Sequence, residues 1–381
     1  MKRSKDRILT THVGSLAHTQ EMHDLLAAKE SGQPVDQVAL DAMARRDVID
    51  SVRKQVEVGL TVINDGEQGK SSWSSYVKDR VNGFDGQYVP RPINRDQQTF
   101  PEFYQYKGPA GGGVGAGVRP ACNGPVSWKD FAAVEKDIAN FKTALEGLEY
   151  EEAFMTASSP GNISNFYPNQ YYPSEDEYLA AVCDLMKREY EAIVDAGFIL
   201  QFDCPDLALS SYFPDMSVEE FKKVVEQRVE ALDYASRDID PERMRLHVCW
   251  GRGEGPKYHD VPLRDIAPIL MNARPNALSI VGANGRHEWE WQVWQEIRPR
   301  DGMMLIPGVI DNTTNIVEHP ETVAGRLVRY AGIVGRENVM GGVDCGFGNA
   351  PHGGDVVPSI AWEKLRSLSE GARIAAERLW R

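Results

Sequence analysis

The chain has 381 residues and carries 42 Lys and Arg against 56 Asp and Glu, a formal net charge of −14. That acidity excludes phosphate-backbone binding as a main activity and argues against docking on an anionic membrane, since both rely on clustered Lys and Arg. No apolar window is long enough for a membrane span, the basic N-terminus lacks the apolar run and cleavage site of a signal peptide, and five scattered cysteines build no disulfide framework. A cytoplasmic protein without nucleic-acid or membrane partners is expected, its oligomeric state open, a homo-oligomer included.

Short apolar runs alternate with amphipathic stretches along the sequence. Strands are predicted at 8–13, 61–66, 152–158, 198–204, 244–250, 277–282, 303–310 and 339–345. Eight strands separated by helices predict an α/β fold, a single (β/α)8 TIM barrel spanning 1–381. Helix punctuation agrees with this reading. Ser174 and Ser217, each followed three residues later by Glu, have the spacing of capping boxes. Val218, Phe221, Val225, Val229 and Leu232 recur on one helical face. Gly59 and Gly197 stand where a helix stops just before a strand. Between about 69 and 150, after strand two, the sequence turns rich in Gly, Pro and aromatic residues and contains GPAGGGVGAG at 108–117. This run lacks the Gly-Lys-Ser/Thr ending of a phosphate loop. It is read as part of an insertion, and because it leaves the C-terminal end of a strand, as a lid.

Polar residues gather at one end of these strands. Ser15 follows strand one, Asp65 and Glu67 follow strand two, Asp203 ends strand four, His247 and Cys249 end strand five, and Cys345 ends strand eight. Residues i and i+2 of a strand share a face, so His247 and Cys249 can converge on one ion with Cys345 arriving from another strand. Three protein ligands with an open fourth position describe a catalytic Zn2+. A buried Cys is also an ordinary small hydrophobe, and the spacing alone does not separate the two.

The stretches THVGS (11–15), INDGEQG (63–69), LQFDCPDLAL (200–209), RLHVCWG (245–251) and GGVDCGFG (341–348) resemble, in order and spacing, the catalytic barrel of the cobalamin-independent methionine synthases. The likeness is nearest to short single-barrel relatives such as epoxyalkane:coenzyme M transferase, and it covers almost the whole chain. It implies zinc on His247, Cys249 and Cys345. It also implies Asp203 and Glu67, beside Asp65, holding a substrate ammonium and the backbone around Gly14 and Ser15 holding its carboxylate, if the thiol is an amino acid. Two features depart from the pattern. Methionine synthases use a glutamate at the end of strand six as a further zinc ligand, where this sequence has Val281. Full-length members also carry a preceding related barrel that is not in this sequence. Glu288 and Glu290 are expected on the next helix, in solvent.

The implied chemistry is alkylation of a thiol. A free thiol titrates near pH ~8.5, and zinc removes its proton to leave a nucleophilic thiolate. With methyltetrahydrofolate as donor an acid must protonate the leaving nitrogen; with an epoxide it must protonate the opening oxygen. His12, Asp203, His287 and Asp344 are the candidates, while His259 and His319 are expected at the surface. The expected partners are thus a small-molecule thiol and an alkyl donor. Methyl transfer to homocysteine or a similar thiol leads, with an epoxide:thiol transferase of the coenzyme M type and a catalytically degenerate zinc- or ligand-binding protein as alternatives. A metal-free decarboxylase would need an arginine-lined acidic-substrate pocket that the sequence does not display.

Overall fold

The computed structural model describes residues 1–30, 33–111, 118–350 and 355–381. Eight parallel strands form the barrel: β1 Leu9–Thr10, β2 Val62–Ile63, β3 Glu152–Ser158, β4 Ile199–Asp203, β5 Met244–Val248, β6 Ala277–Ile280, β7 Met304–Ile310 and β8 Met340–Val343. They follow one another around the sheet from β2 to β8, and β8 pairs with β1 through Leu9 opposite Met340. The β1–β2 seam is completed by threonines. The Thr61 amide donates to the Thr10 carbonyl at 3.2 Å, and the Thr61 hydroxyl accepts from the Thr10 amide at 2.7 Å. A side chain thus stands in for one ladder bond, which satisfies the edge that an open sheet leaves bare.

The barrel interior is filled in layers, as this fold requires. One layer is apolar, with Leu9, Val62, Phe154, Ile199, Ala277, Met304, Ile306 and Met340. A second is polar, built on the buried Arg245 of β5. Its guanidinium donates to Gln201 Oε1 at 2.8 Å, Thr11 Oγ1 at 3.2 Å and the His12 carbonyl at 3.0 Å, and lies 3.4 Å from the Phe154 ring centroid. Outward-facing strand residues such as Leu200, Leu246, Leu278 and Leu305 join the larger core shared with the helices.

The helices bear out the punctuation in most respects. Ser217 and Glu220 form a reciprocal capping box on Val218–Ala235, whereas Ser174 caps Glu175–Asp195 by its hydroxyl alone. Gly59 and Gly197 take φ of 88° and 100°, values that favour glycine. Phe221, Val225, Val229 and Leu232 are buried, but Val218, on the first helical turn, is exposed.

Between β2 and β3 lie a helix Tyr76–Arg80, two small antiparallel pairs (Val81–Asn82 with Ser127–Trp128, and Tyr88–Pro90 with Val118–Pro120), and helices Arg95–Thr99 and Pro101–Gly111. Residues 112–117 of the glycine-rich run lie outside the described residues. Helix Ala132–Leu145, within the stretch read as an insertion, packs on Gln37–Glu57 in the outer ring. Among the described residues no helix is long and apolar enough to cross a membrane.

Candidate metal centre

Strand register brings the polar residues to one level. Asp203 on β4 pairs with His247 on β5, and His247 pairs with Ser279 on β6. Cys249 lies two residues beyond His247, and Cys345 directly follows Asp344 at the end of β8. The ligand atoms of His247, Cys249 and Cys345 all lie within 4.8 Å of one another. The two sulfurs are 3.3 Å apart, well beyond a disulfide of about 2.05 Å and near the roughly 3.8 Å that two sulfurs on one tetrahedral zinc would keep.

The two ring nitrogens of His247 stand in different surroundings. Its Nδ1 is 3.2 Å from Ser279 Oγ, while Nε2 is buried without a hydrogen-bond partner. A ligating imidazole commonly engages its other nitrogen in this way. The two thiols behave as a pair. Hydrogen bonding to Cys345, then burial, pushes the Cys249 thiol up, and hydrogen bonding from Cys249 holds Cys345 well below the usual thiol range.

These three residues open into a cavity of about 700 Å³, with Ser15, Glu67 and Asp203 also on its wall. Glu67 Oε1 accepts from Thr156 Oγ1 at 3.0 Å, and Oε2 is buried without a partner. Burial and the nearby Asp203 raise the Glu67 carboxyl to about 8, and burial raises Asp203 to about 6. Glu67 has φ of 57°, a conformation uncommon for a residue with a side chain and frequent at functional sites. Gly14 makes room for it: a Cβ there would stand 2.6 Å from Glu67 Oε1. Ser15 meets the rim of β8, its hydroxyl accepting from the Gly348 amide at 3.2 Å.

Other sequence candidates fall elsewhere. Asp65 is buried and bonds the Glu67 amide at 3.0 Å, away from the cavity wall. His12 is buried beside the barrel interior, with Nε2 2.9 Å from Gln55 Oε1, and does not line the cavity. Asp344 accepts from the Gly282, Ala283 and Asn284 amides at 2.8–2.9 Å and so ties β8 to the rim of β6. His287 is buried between Glu290 Oε2 at 2.8 Å and Asp260 Oδ2 at 3.1 Å, its ring stacked on Trp250 at 4.3 Å. Burial opposes its charge, but the bonds to Asp260 and Glu290 outweigh it and raise the imidazole above its ordinary value.

Two expectations are corrected here. Glu290 is buried rather than solvated: besides His287 it accepts from the Leu263 amide at 2.8 Å, joining the short helix Glu288–Gln292 to the first residue of helix Leu263–Leu270. His259 lines the cavity and contacts Thr99 Oγ1 at 2.8 Å, because the segments at 94–107 fold over the barrel mouth. Trp73, Arg91, Asn94, Arg95 and Tyr104 of the same region also line the cavity. Arg95 donates to the carbonyls of Pro214 and Met216 and fastens that region to the loop after β4.

Sequence reasoning missed Arg245, Gln201, Ser279, Lys70 and Thr156. The signal for the first two was present, since each lies two residues before a site residue, on the same strand face. Arginine within the apolar run MRLHVCW is itself unusual for a buried strand.

The structure is therefore a (β/α)8 barrel with a His-Cys-Cys cluster in a cavity at the C-terminal ends of its strands, the face on which enzymes of this fold carry their sites. No family model matches the chain. Among curated proteins, methionine synthase of Sulfolobus acidocaldarius is 21% identical over 373 residues, covering 97% of this chain and 93% of that protein. Methionine synthase of Sulfurisphaera tokodaii is 22% identical over 374 residues, with the same coverage of 97% and 93%. The fold matches that of a B12-independent methionine synthase from Shewanella sp. W3-18-1, solved with selenomethionine, at a TM-score of 0.75, 18% identity and coverage of 98% and 99% of the two chains. It also matches a putative vitamin-B12 independent methionine synthase from Listeria monocytogenes at 0.65, 19% identity and 97% and 98% coverage. In sequence along almost its whole length, and in fold, the chain is thus similar to cobalamin-independent methionine synthases.

Proposed function

We propose that the protein is a zinc-dependent thiol alkyltransferase whose principal reaction is methyl transfer to homocysteine or a similar thiol. The observation that carries this reading is the buried, unpartnered Nε2 of His247 beside two cysteine sulfurs on the wall of a substrate-sized cavity. A nitrogen and two thiols suit zinc, and the relatives named methionine synthase align along almost the whole chain. When bound there, zinc would lower the pKa of an incoming thiol and supply it as a thiolate.

The chain's own residues bind and orient. Asp203 and Glu67 offer carboxylate oxygens to a substrate ammonium, and the backbone around Gly14 and Ser15 receives the substrate carboxylate. The region that carries Trp73, Arg95 and Tyr104 acts as a lid, excluding water above the thiol. We assign the leaving-group proton to the His287–Asp260 pair, because Asp260 lines the cavity and His287, held by two carboxylates, keeps it supplied. Asp203, also on the cavity, stays with the substrate amine, and His12 supports the interior.

A second reading, an epoxide:thiol transferase of the coenzyme M type, draws on one observation. Arg252 and Lys257 line the same cavity, and the Lys257 ammonium donates to the Trp250 and Gly251 carbonyls at 3.1 and 2.9 Å, which places a cation suited to a sulfonate beside Cys249. X-ray absorption on the zinc-loaded protein tests both. A new zinc–sulfur ligand with homocysteine but not with coenzyme M supports the first reading, and the reverse supports the second. No change with either thiol rejects the proposed thiol activation.

A further inference from the structure

Asp203 and Glu67 each have one oxygen engaged by a neutral side chain, and in both cases that side chain is held by a buried cation. Gln201 Nε2 donates to Asp203 Oδ1 at 2.7 Å, and Arg245 Nε donates to Gln201 Oε1 at 2.8 Å. Thr156 Oγ1 donates to Glu67 Oε1 at 3.0 Å, and Lys70 Nζ donates to Thr156 Oγ1 at 3.1 Å and to its carbonyl at 2.6 Å. Arg245 and Lys70 are 1% and 2% exposed. Among the described residues neither forms a direct ion pair with the carboxylate it serves.

The donor-only character of the two cations decides the direction of these bonds. An arginine has no acceptor, so Arg245 claims the amide oxygen of Gln201 and turns its NH2 toward Asp203. Arg245 cannot swing away, being fixed by Thr11, the His12 carbonyl and the Phe154 ring. Lys70, likewise donor-only, occupies a lone pair of the Thr156 hydroxyl and leaves its hydrogen for Glu67. One oxygen of each carboxylate is thereby pinned while the group as a whole still faces the cavity, and Glu67 Oε2 is buried with nothing bonded to it.

A cation bonded directly to either carboxylate would cancel the charge that the cavity presents. Set back by one neutral residue, it favours the ionised form without occupying the open oxygen. We propose that Arg245 with Gln201, and Lys70 with Thr156, are positioning pairs that make the cavity selective for a thiol bearing a cationic amine; this rests on the reading in which Asp203 and Glu67 receive the substrate ammonium.

The test is calorimetric titration of the zinc-loaded protein with L-homocysteine and with its des-amino analogue, mercaptobutyrate, read as the ratio of the two affinities. Gln201→Met and Thr156→Val delete the donors but keep both carboxylates and both cations. Each is expected to lower the ratio roughly tenfold through homocysteine alone, the scale of one charge-assisted hydrogen bond, with mercaptobutyrate binding and zinc content unchanged. Arg245→Met should lower the ratio in the same way. Proportional loss for both thiols, or an unchanged ratio, overturns the positioning role. Asp203→Asn, run in parallel, separates the two levels: if it lowers the ratio while the relay variants do not, the ammonium clamp stands and the relays fail. If Asp203→Asn leaves the ratio unchanged, the clamp fails and the relays with it.

Discussion

At the scale of single residues, the candidate centre depends on which atoms are left without partners. Cys345 contributes a thiol that its neighbours hold well below the ordinary range, and a serine hydroxyl there would not ionise. Cys345→Ser should lower zinc content and transferase activity together, measured by metal analysis and product formation on the same preparation. Full activity in that variant would put the ligand elsewhere. His287 tests the proton supply separately. It contacts Asp260 and Glu290 and, among the described residues, lies outside the cluster of His247, Cys249 and Cys345. His287→Gln should cut turnover by roughly a hundredfold, the usual scale for losing a positioned acid, and leave zinc content and thiol affinity near those of the parent. Parallel loss of zinc would show that His287 instead supports the fold around Trp250.

At the scale of elements, the eight strands were legible because each short apolar run ended at a turn or glycine. Predicted strands ran longer than observed mainly where the ladder stops and the chain continues as rim loop, as at β1, β2 and β8. The i, i+2 spacing puts His247 and Cys249 on one face at the end of β5, but their approach to Cys345 depends on the closure of the barrel, and spacing alone did not separate a ligand set from buried hydrophobes. The region after β2 was legible only as irregular: its small antiparallel pairs and its hold on the loop after β4 depend on contacts such as Arg95 to Pro214, which no local pattern encodes. Glu290 was misread because helix periodicity does not reveal a buried imidazole partner. Strand β6 yields a test. Ala277 joins the inner apolar layer and Ser279 meets His247, so the same alternation, continued one residue past the end of β6, would bring Val281 to the inner face at the level of Cys249. Val281 is 4% exposed, and a glutamate there would be costly unless paired or metal-bound. Val281→Glu should therefore slow zinc loss to a chelator and weaken thiol binding, since the new carboxylate competes for the open position. A variant that loses zinc as fast as the parent and unfolds at lower temperature would show that Val281 faces the helices.

At the scale of the whole molecule, a chain with net charge −14 buries several carboxyl groups in one barrel mouth, and that concentration links stability to pH. Glu67 is raised from 4.5 to about 8, by burial first and then by the Asp203 charge, with Lys70 opposing and Asp65 adding. Between those values the folded protein keeps a proton on Glu67 that the unfolded chain has released. The folded state therefore binds more protons, and stability falls as pH rises through the window. His12 and His18 act in the opposite sense: burial lowers both from 6.5 to about 4, so the unfolded chain binds the extra protons and stability falls as pH drops below 6.5. Above that pH the histidines contribute little and the Glu67 effect remains, with a slope of up to about 1.4 kcal/mol per pH unit. Glu67→Gln removes this titration while keeping the shape of the side chain. In metal-free protein the variant's melting temperature should gain on that of the parent progressively from pH 6.5 to 8; the comparison subtracts the thiol titrations common to both. Homocysteine should narrow the gap in zinc-loaded protein, because an ammonium against Glu67 favours the charged form that burial opposes. A melting-temperature difference that stays constant across this range would mean that Glu67 is already ionised at pH 6.5, and that Lys70 acting through Thr156 outweighs burial.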